Sequence, residues 1–275
     1  MLTRRALLAS LTAAVATSLA RLRAAAPYRI GVESYCFHDV NLDATLAHTT
    51  ALGLQYIELH DGHLPFTAQG PEITRARRAF RAAGITPAGV YIHDAFTDSE
   101  AVARPIFDYA KKIGFTYING GPQRAALPLL NRLAGEYGID VAIHNHGPKA
   151  RYETLADVTS VLEAHPQLTA SVDIGHFARS RVDPVRAIRT VGGRNVAVHV
   201  KDVDSAGGNT VLGEGTIDLP GVFAALAETK FDGLLVLEYE GDFDDMKARL
   251  EGMRRSLEVM RRLITASASP SIVSR

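Results

Sequence analysis

The chain has 275 residues, 47% apolar and 22% charged, and its 30 basic and 30 acidic side chains balance to zero net charge. That composition excludes a disordered chain, and the lack of a basic block or aromatic-interleaved stripe argues against a nucleic-acid partner. Cys36 is the single cysteine, which excludes an intrachain disulfide and a cysteine-built metal site. Its expected role is a buried core thiol.

Residues 1–26 read as an address. Arg4-Arg5 precede an apolar run from Ala6 to Ala20, and Ser18-Leu19-Ala20 or Ala24-Ala25-Ala26 offer small-residue cleavage points. Thr3-Arg4-Arg5-Ala6-Leu7-Leu8 resembles a twin-arginine export signal, so a periplasmic or exported location is expected. The run is too short for a comfortable membrane span, and no stable span is expected once it is removed. A basic amphipathic helix or an uncleaved anchor is the competing reading.

From Tyr28 onward, short β-branched runs alternate with helical patterns. Candidate strands cover 29–36, 54–59, 85–92, 115–119, 139–144, 169–173, 195–200 and 233–239. Helical stretches cover Leu42–Leu52, Asp98–Ile113, Pro122–Tyr137, Tyr152–Ala164, Leu219–Thr229 and Phe243–Leu263, with a shorter one opened by Asp183-Pro184. Asn41 is positioned to cap the first, and Gly53, Gly114 and Gly138 to close the first three. Eight strands each followed by a helix predict parallel βαβ units and an α/β fold, a single-domain (β/α)8 TIM barrel over residues 27–265. A doubly wound sheet is the alternative, but no Gly-rich turn follows the first strand. Residues 266–275 read as a flexible tail.

In such a barrel the chemistry sits at the carboxyl ends of the strands. Eight of the ten histidines fall there: His38, His60, His63, His93, His144, His146, His176 and His199. Asp61, Asp94, Asp173, Asp202, Glu238 and Glu240 join them. Four motifs end successive strands: Ile143-His144-Asn145-His146-Gly147, Ser171-Val172-Asp173-Ile174-Gly175-His176, Val198-His199-Val200-Lys201-Asp202 and Val236-Leu237-Glu238-Tyr239-Glu240. Mixed imidazole and carboxylate donors suit Mn, Fe, Co or Zn better than an all-oxygen cage does. Side chains alternate along a strand, so His199 and Lys201 share a direction, as do Glu238 and Glu240. Lys201 and Asp202 are equally readable as a structural ion pair. Gly213 to Gly215 reads as a tight turn, because no P-loop partner follows it.

At these residues the chain resembles the xylose-isomerase-like barrel superfamily, the sugar phosphate isomerase/epimerase family. The resemblance covers nearly all of Tyr28 to Leu263 and includes Leu52-Gly53-Leu54-Gln55-Tyr56-Ile57-Glu58-Leu59 and Gly213-Glu214-Gly215-Thr216-Ile217-Asp218. It implies one divalent ion (Mn, Co, Fe, Zn or Mg) held by Asp173, His199 and Glu238. The fourth ligand position, a glutamate in the family, is His144 here, which departs from the two-carboxylate scheme of its epimerases. His144 could still bind metal or act as a base. The resemblance further implies proton abstraction next to a carbonyl, with Glu238, His144 or Lys201 as the base, and a pocket lined by Glu58, His60, His93, His146, His176 and Glu240. His176 reads equally as a structural polar residue, and Glu240 as a solvated one. The partner is then a small carbohydrate, and oligomeric state is left open. Export points to an unphosphorylated or keto-sugar. Three functions follow: an isomerase or epimerase first, then a 3-keto-glycoside lyase or dehydratase, then an exported sugar-binding protein without catalysis.

Overall fold

The computed structural model describes residues 28–92 and 96–268. The export-signal segment, His93 with Asp94, and residues 269–275 lie outside the described residues. Within them the expected barrel is present. Eight parallel strands close into one ring in the order β1-β10-β7-β6-β5-β4-β3-β2. They are β1 (Arg29–Glu33), β2 (Tyr56–His60), β3 (Thr86–Tyr91), β4 (Tyr117–Gly120), β5 (Asp140–His144), β6 (Leu168–Asp173), β7 (Asn195–Val200) and β10 (Leu234–Leu237). A small antiparallel ribbon, β8 (Asp202–Val203) with β9 (Asn209–Thr210), stands over β7.

Helices α1 (Leu42–Ala51), α2 (Gly70–Ala83), α3 (Glu100–Ile113), α4 (Leu127–Tyr137), α5 (Leu155–Ala164), α6 (Ile174–Arg179), α7 (Pro184–Val191), α8 (Leu219–Glu228) and α9 (Met246–Ala268) follow the strands. Asn41 caps α1 through its side chain, and Gly114 and Gly138 end α3 and α4 in the left-handed conformation. No helix among the described residues is long and apolar enough to cross a membrane. Helix α9 runs to Ala268, so the first residues of the expected tail are helical.

The structure adds three elements that the chain-order reading lacks. Helix α2 buries Ile73, Ala76 and Phe80, spaced for one face, beneath an arginine-rich exposed side. Helix α6 starts directly on Asp173, whose carboxylate caps His176 N. The ribbon is held because Asp202 accepts backbone N–H bonds from Gly213, Gly215 and Ile217. Asp202 therefore fastens the loop after β7, and the expected ion pair with Lys201 does not form.

Strand alternation divides the interior in two. Val172, Val198, Val200, Leu235 and Leu237 face the helices in the large core. Tyr117, Ala142, Ala197, Leu234 and Val236 fill the barrel lumen. Continuing the lumen set by two residues along each strand reaches Asn119, His144, His199 and Glu238. The barrel's filled core is the floor of its site.

Candidate metal and catalytic centre

Register brings the polar ends into one layer. Asp173 pairs with His199, and His199 with Val236. His144 pairs with Ser171, and Glu33 with Glu58. Asp173, His199 and Glu238 offer ligand atoms that all lie within 4.8 Å of one another, and so do His144, Asp173 and His176. The four expected ligands thus converge on Asp173.

His199 is 1% exposed and sits between two carboxylates. Its Nδ1 is 2.6 Å from Glu238 Oε2 and its Nε2 is 2.8 Å from Glu58 Oε1. Burial disfavours the imidazolium, but Glu58 and Glu238 outweigh it and hold the ring's pKa well above the ordinary value. Glu58 is fully buried and is further bound by Tyr117 OH at 2.5 Å and Asn119 Nδ2 at 2.8 Å. Glu58, expected at the substrate pocket, is not among the residues that line the cavity. Its carboxylate is used up orienting His199, beneath the cavity.

Lys201 lies parallel to His199, its stem threaded past Gly175, where an added Cβ would fall 2.2 Å from Lys201 Cγ. Only glycine admits that stem. The ammonium is 2.9 Å from Glu238 Oε1, 3.3 Å from Asp173 Oδ2 and 3.5 Å from Glu240 Oε2. Burial pulls its pKa down, yet the three carboxylates together drive it above the ordinary value. The ammonium form of Lys201 is thus favoured, which suits a fixed cation beside Glu238. Burial also pushes Glu238 up, but Lys201 and His199 prevail and hold it well below the usual carboxylate range.

His144 is neutral. Burial first, and then His199, drive its pKa well down, and its Nδ1 is buried without a hydrogen-bond partner. A neutral imidazole with an open ring nitrogen is the metal-binding form. Asp173 Oδ2 likewise has no aligned hydrogen-bond donor, despite its ion-pair distance to Lys201. Ligands about 2.0–2.2 Å from one ion are at most about 4.4 Å apart, so each of the two triads needs only slight contraction to hold one. The donor set fits a divalent first-row ion.

His60, His146, His176 and Glu240 line the cavity above, as expected, together with Glu33, Tyr35 and Tyr91. His176 is kept neutral by burial and by Lys201, and its Nδ1 accepts from Arg179 Nη1 at 3.3 Å. His146 stacks on it with ring centroids 3.8 Å apart. Glu240 accepts from Asn209 Nδ2 at 2.8 Å and is shifted up by burial despite Lys201. His63 is absent from the cavity. It locks loops together through Ser34, Thr45 and Phe37 O. His93 lies outside the described residues.

Glu33 is the functional candidate that sequence reasoning missed. It is 2% exposed, accepts from Tyr35 N through Oε2, and leaves Oε1 buried and unpartnered. Burial, then Glu238 and Glu58, raise its pKa well above the ordinary carboxylate value, which favours the protonated acid. Extending the first strand to residue 36 hid it mid-strand. In the structure β1 ends at Glu33, which caps the short 3-10 turn Ser34–Phe37, and an acid at a strand's carboxyl end was the available signal.

A closed parallel barrel with carboxylates and imidazoles at its carboxyl mouth defines a TIM-barrel enzyme superfamily. A family model described as "Xylose isomerase-like TIM barrel" matches residues 46–263, and the chain belongs to that family. It is 30% identical over 158 residues to an inosose dehydratase of Clostridium tetani, covering 50% of this chain and 52% of that protein. The chain thus spans about half the length of the curated relatives it matches. Among solved structures, an uncharacterised Parabacteroides distasonis protein is 26% identical with a TM-score of 0.67, covering 86% of this chain and 99% of the other. D-psicose 3-epimerase from Clostridium cellulolyticum has a TM-score of 0.73 over 86% and 99% of the two chains, and at 16% identity it shares the fold alone.

Proposed function

We propose that the protein is a metal-dependent carbohydrate enzyme that takes a proton from the carbon beside a carbonyl and completes the reaction by eliminating a β-oxygen substituent. The observation that carries this reading is the opposite tuning of two carboxyl groups at one cavity. Lys201 and His199 hold the Glu238 carboxyl below its ordinary value, while burial and the neighbouring Glu238 and Glu58 push Glu33 up. Two titratable groups pushed apart by their surroundings make a base and an acid.

A divalent ion held by His144, Asp173, His199 and Glu238 would polarise the carbonyl and neutralise charge developing on its oxygen. Glu238 takes the proton, and the C–H electron pair becomes the new C=C bond. The β C–O bond breaks with its electrons on oxygen. That oxygen takes the carboxyl proton of Glu33 and leaves as water or an alcohol. Proton loss from Glu238 and proton gain by Glu33 restore the site. Lys201, fixed beside Glu238, keeps the carboxylate ionised until the proton arrives. The similarity to inosose dehydratase, whose name describes the same class of step, supports elimination.

Isomerisation or epimerisation is the second reading. It is favoured by the placement of His144 and Glu238 on β5 and just past β10, flanking β6 and β7. Each has a proton-accepting form at neutral pH, so one could take the proton and the other return it. The test is incubation of the Mn2+-supplemented protein in deuterated water with scyllo-inosose, D-fructose and related keto-sugars. Elimination yields a product lighter by one water that absorbs as an enone. Epimerisation yields deuterium incorporation at unchanged composition. Binding without exchange sinks both readings and leaves a carbohydrate-binding protein.

A further inference from the structure

The cavity over the centre has a neighbour. It is lined by Gly121, Ala150, Arg151 and Tyr152, and it shares Tyr91, His144 and His146 with the first. The two lobes hold about 170 and 210 Å³. Ligand sites commonly measure about 300–1,000 Å³, a range that neither lobe reaches alone, and the three shared residues place the two side by side.

The lobes differ in chemistry. The first carries Glu33, Glu238 and Glu240. Among the described residues, the second has no acid in its lining. Arg151 Nη1 donates to Gly121 O at 2.5 Å, which pins the guanidinium to the wall. Tyr152 is buried with its hydroxyl donating to Pro122 O at 2.7 Å, and the Arg124 guanidinium covers its ring at 5.3 Å. The Tyr91 ring, shared by both lobes, stacks on His60 at 5.9 Å and meets His144 edge-on at 5.2 Å. A unit placed here meets aromatic and guanidinium faces and N–H donors, the surfaces that hold a sugar ring or aromatic ring without reacting with it.

We infer that the second lobe is a subsite for a ring-sized unit joined to the reacting sugar, so that the substrate class is a disaccharide or a glycoside with a cyclic aglycone. The inference rests on the carbonyl-sugar reading above and deepens it. The reacting unit lies over Glu238 and His144. The second unit passes Tyr91 and His146 and rests against Ala150, Arg151 and Tyr152.

Calorimetric titration of the full chain with Mn2+ present tests this. D-fructose is the one-unit probe, and its glucosides turanose, leucrose and palatinose, joined through different oxygens, are the two-unit probes. At least one glucoside is expected to bind about ten-fold or more tighter than fructose, roughly 1.4 kcal/mol. Gly121→Leu fills the second lobe. The Gly121 backbone is not left-handed, and an added Cβ meets only the Tyr152 ring, at 3.8 Å. This variant, and independently Ala150→Leu, is expected to bring that glucoside down to the fructose level while fructose binding is unchanged. Glucosides that bind no tighter than fructose, or a Gly121→Leu variant that weakens all probes alike, overturn the subsite and leave the chemistry standing. Tight glucoside binding without deuterium exchange supports the subsite and overturns the chemistry. Absence of binding by every probe overturns both.

Discussion

His199 Nδ1 and Glu238 Oε2 stand 2.6 Å apart, one on β7 and one just past β10, while the other Glu238 oxygen is 2.9 Å from Lys201 Nζ. One carboxylate is thus shared between the His199 imidazole and the Lys201 ammonium. Glu238→Gln keeps the shape and removes the proton acceptor. Turnover and α-proton exchange should fall about 10²–10⁴-fold, the usual worth of a positioned base, with the circular dichroism spectrum unchanged. Full exchange activity in this variant would remove Glu238 from the mechanism.

Glu58 acts one step further out. Its Oε1 is 2.8 Å from His199 Nε2 and never reaches the cavity. Carboxylates that orient a ligand histidine typically carry about 10–100-fold in metal affinity. Glu58→Gln should weaken Mn2+ binding by that amount, measured by calorimetry. An unchanged affinity would show that the Glu58–His199 bond has no bearing on metal.

Acid should destabilise the fold through buried neutral histidines. Burial lowers the pKa of His63, His144 and His176, with His60, His199 and Lys201 respectively adding to the shift. The unfolded chain takes up these protons near about pH 6.5, while the folded chain does not. The unfolded state therefore binds more protons below that pH. The stabilisation is complete above it and declines as pH falls toward the lowered folded values. His199, Glu33 and Glu240, whose folded pKa values are raised, act in the opposite direction, so the histidine contribution is read by difference. Between about pH 7.5 and about pH 5.5 the urea midpoint of metal-free His63→Gln should fall less, or rise more, than that of the parent protein. Parallel pH profiles for the two proteins contradict this account.

Arg249 is completely buried in α9 and donates to Cys36 O at 3.0 Å, to Asp39 Oδ1 at 2.7 Å and to Phe243 O. It joins the loops that follow β1 and β10, which carry Tyr35 and Phe243. Arg249→Met leaves the buried Cys36 O and the part-buried Phe243 O without their donor and should cost about 1–3 kcal/mol. Arg104, on the exposed surface, bonds Glu100 and Glu136 at 2.6 Å each. Arg104→Ala should cost less than about 1 kcal/mol despite its more numerous ion pairs. Urea unfolding of both variants makes the comparison, and equal losses would contradict it.

Much of the centre was legible because strand periodicity is local. The alternation in Ala197, His199 and Lys201, or in Leu234, Val236 and Glu238, states which side chains share a face, and barrel logic states which end matters. Glu33 escaped because a run such as RIGVESYC does not mark its own end. The strand stops where the Glu33 side chain caps Tyr35 N, an interaction that competes with strand pairing. Helix α2 escaped because its apolar face is narrow, only Ile73, Ala76 and Phe80. The partners of Glu58 and Asp202 were not legible, for a different reason. Each sits at a strand end beside the right neighbours, but which partner takes its oxygens depends on Tyr117 and Asn119 across the lumen and on a loop folding back from Gly213.

By itself, then, the sequence determined the alternating strand–helix order, the closed-barrel class, and the set of imidazoles and carboxylates at one mouth, because these follow from periodicity along the chain. Only the tertiary structure decided which of those groups are charged. The pKa values of Lys201 and Glu33 are raised and those of His144 and Glu238 lowered because of burial and of neighbours brought from distant strands. Charge state in a buried site depends on desolvation and on opposite charges a few ångströms away, and neither quantity exists until the barrel closes.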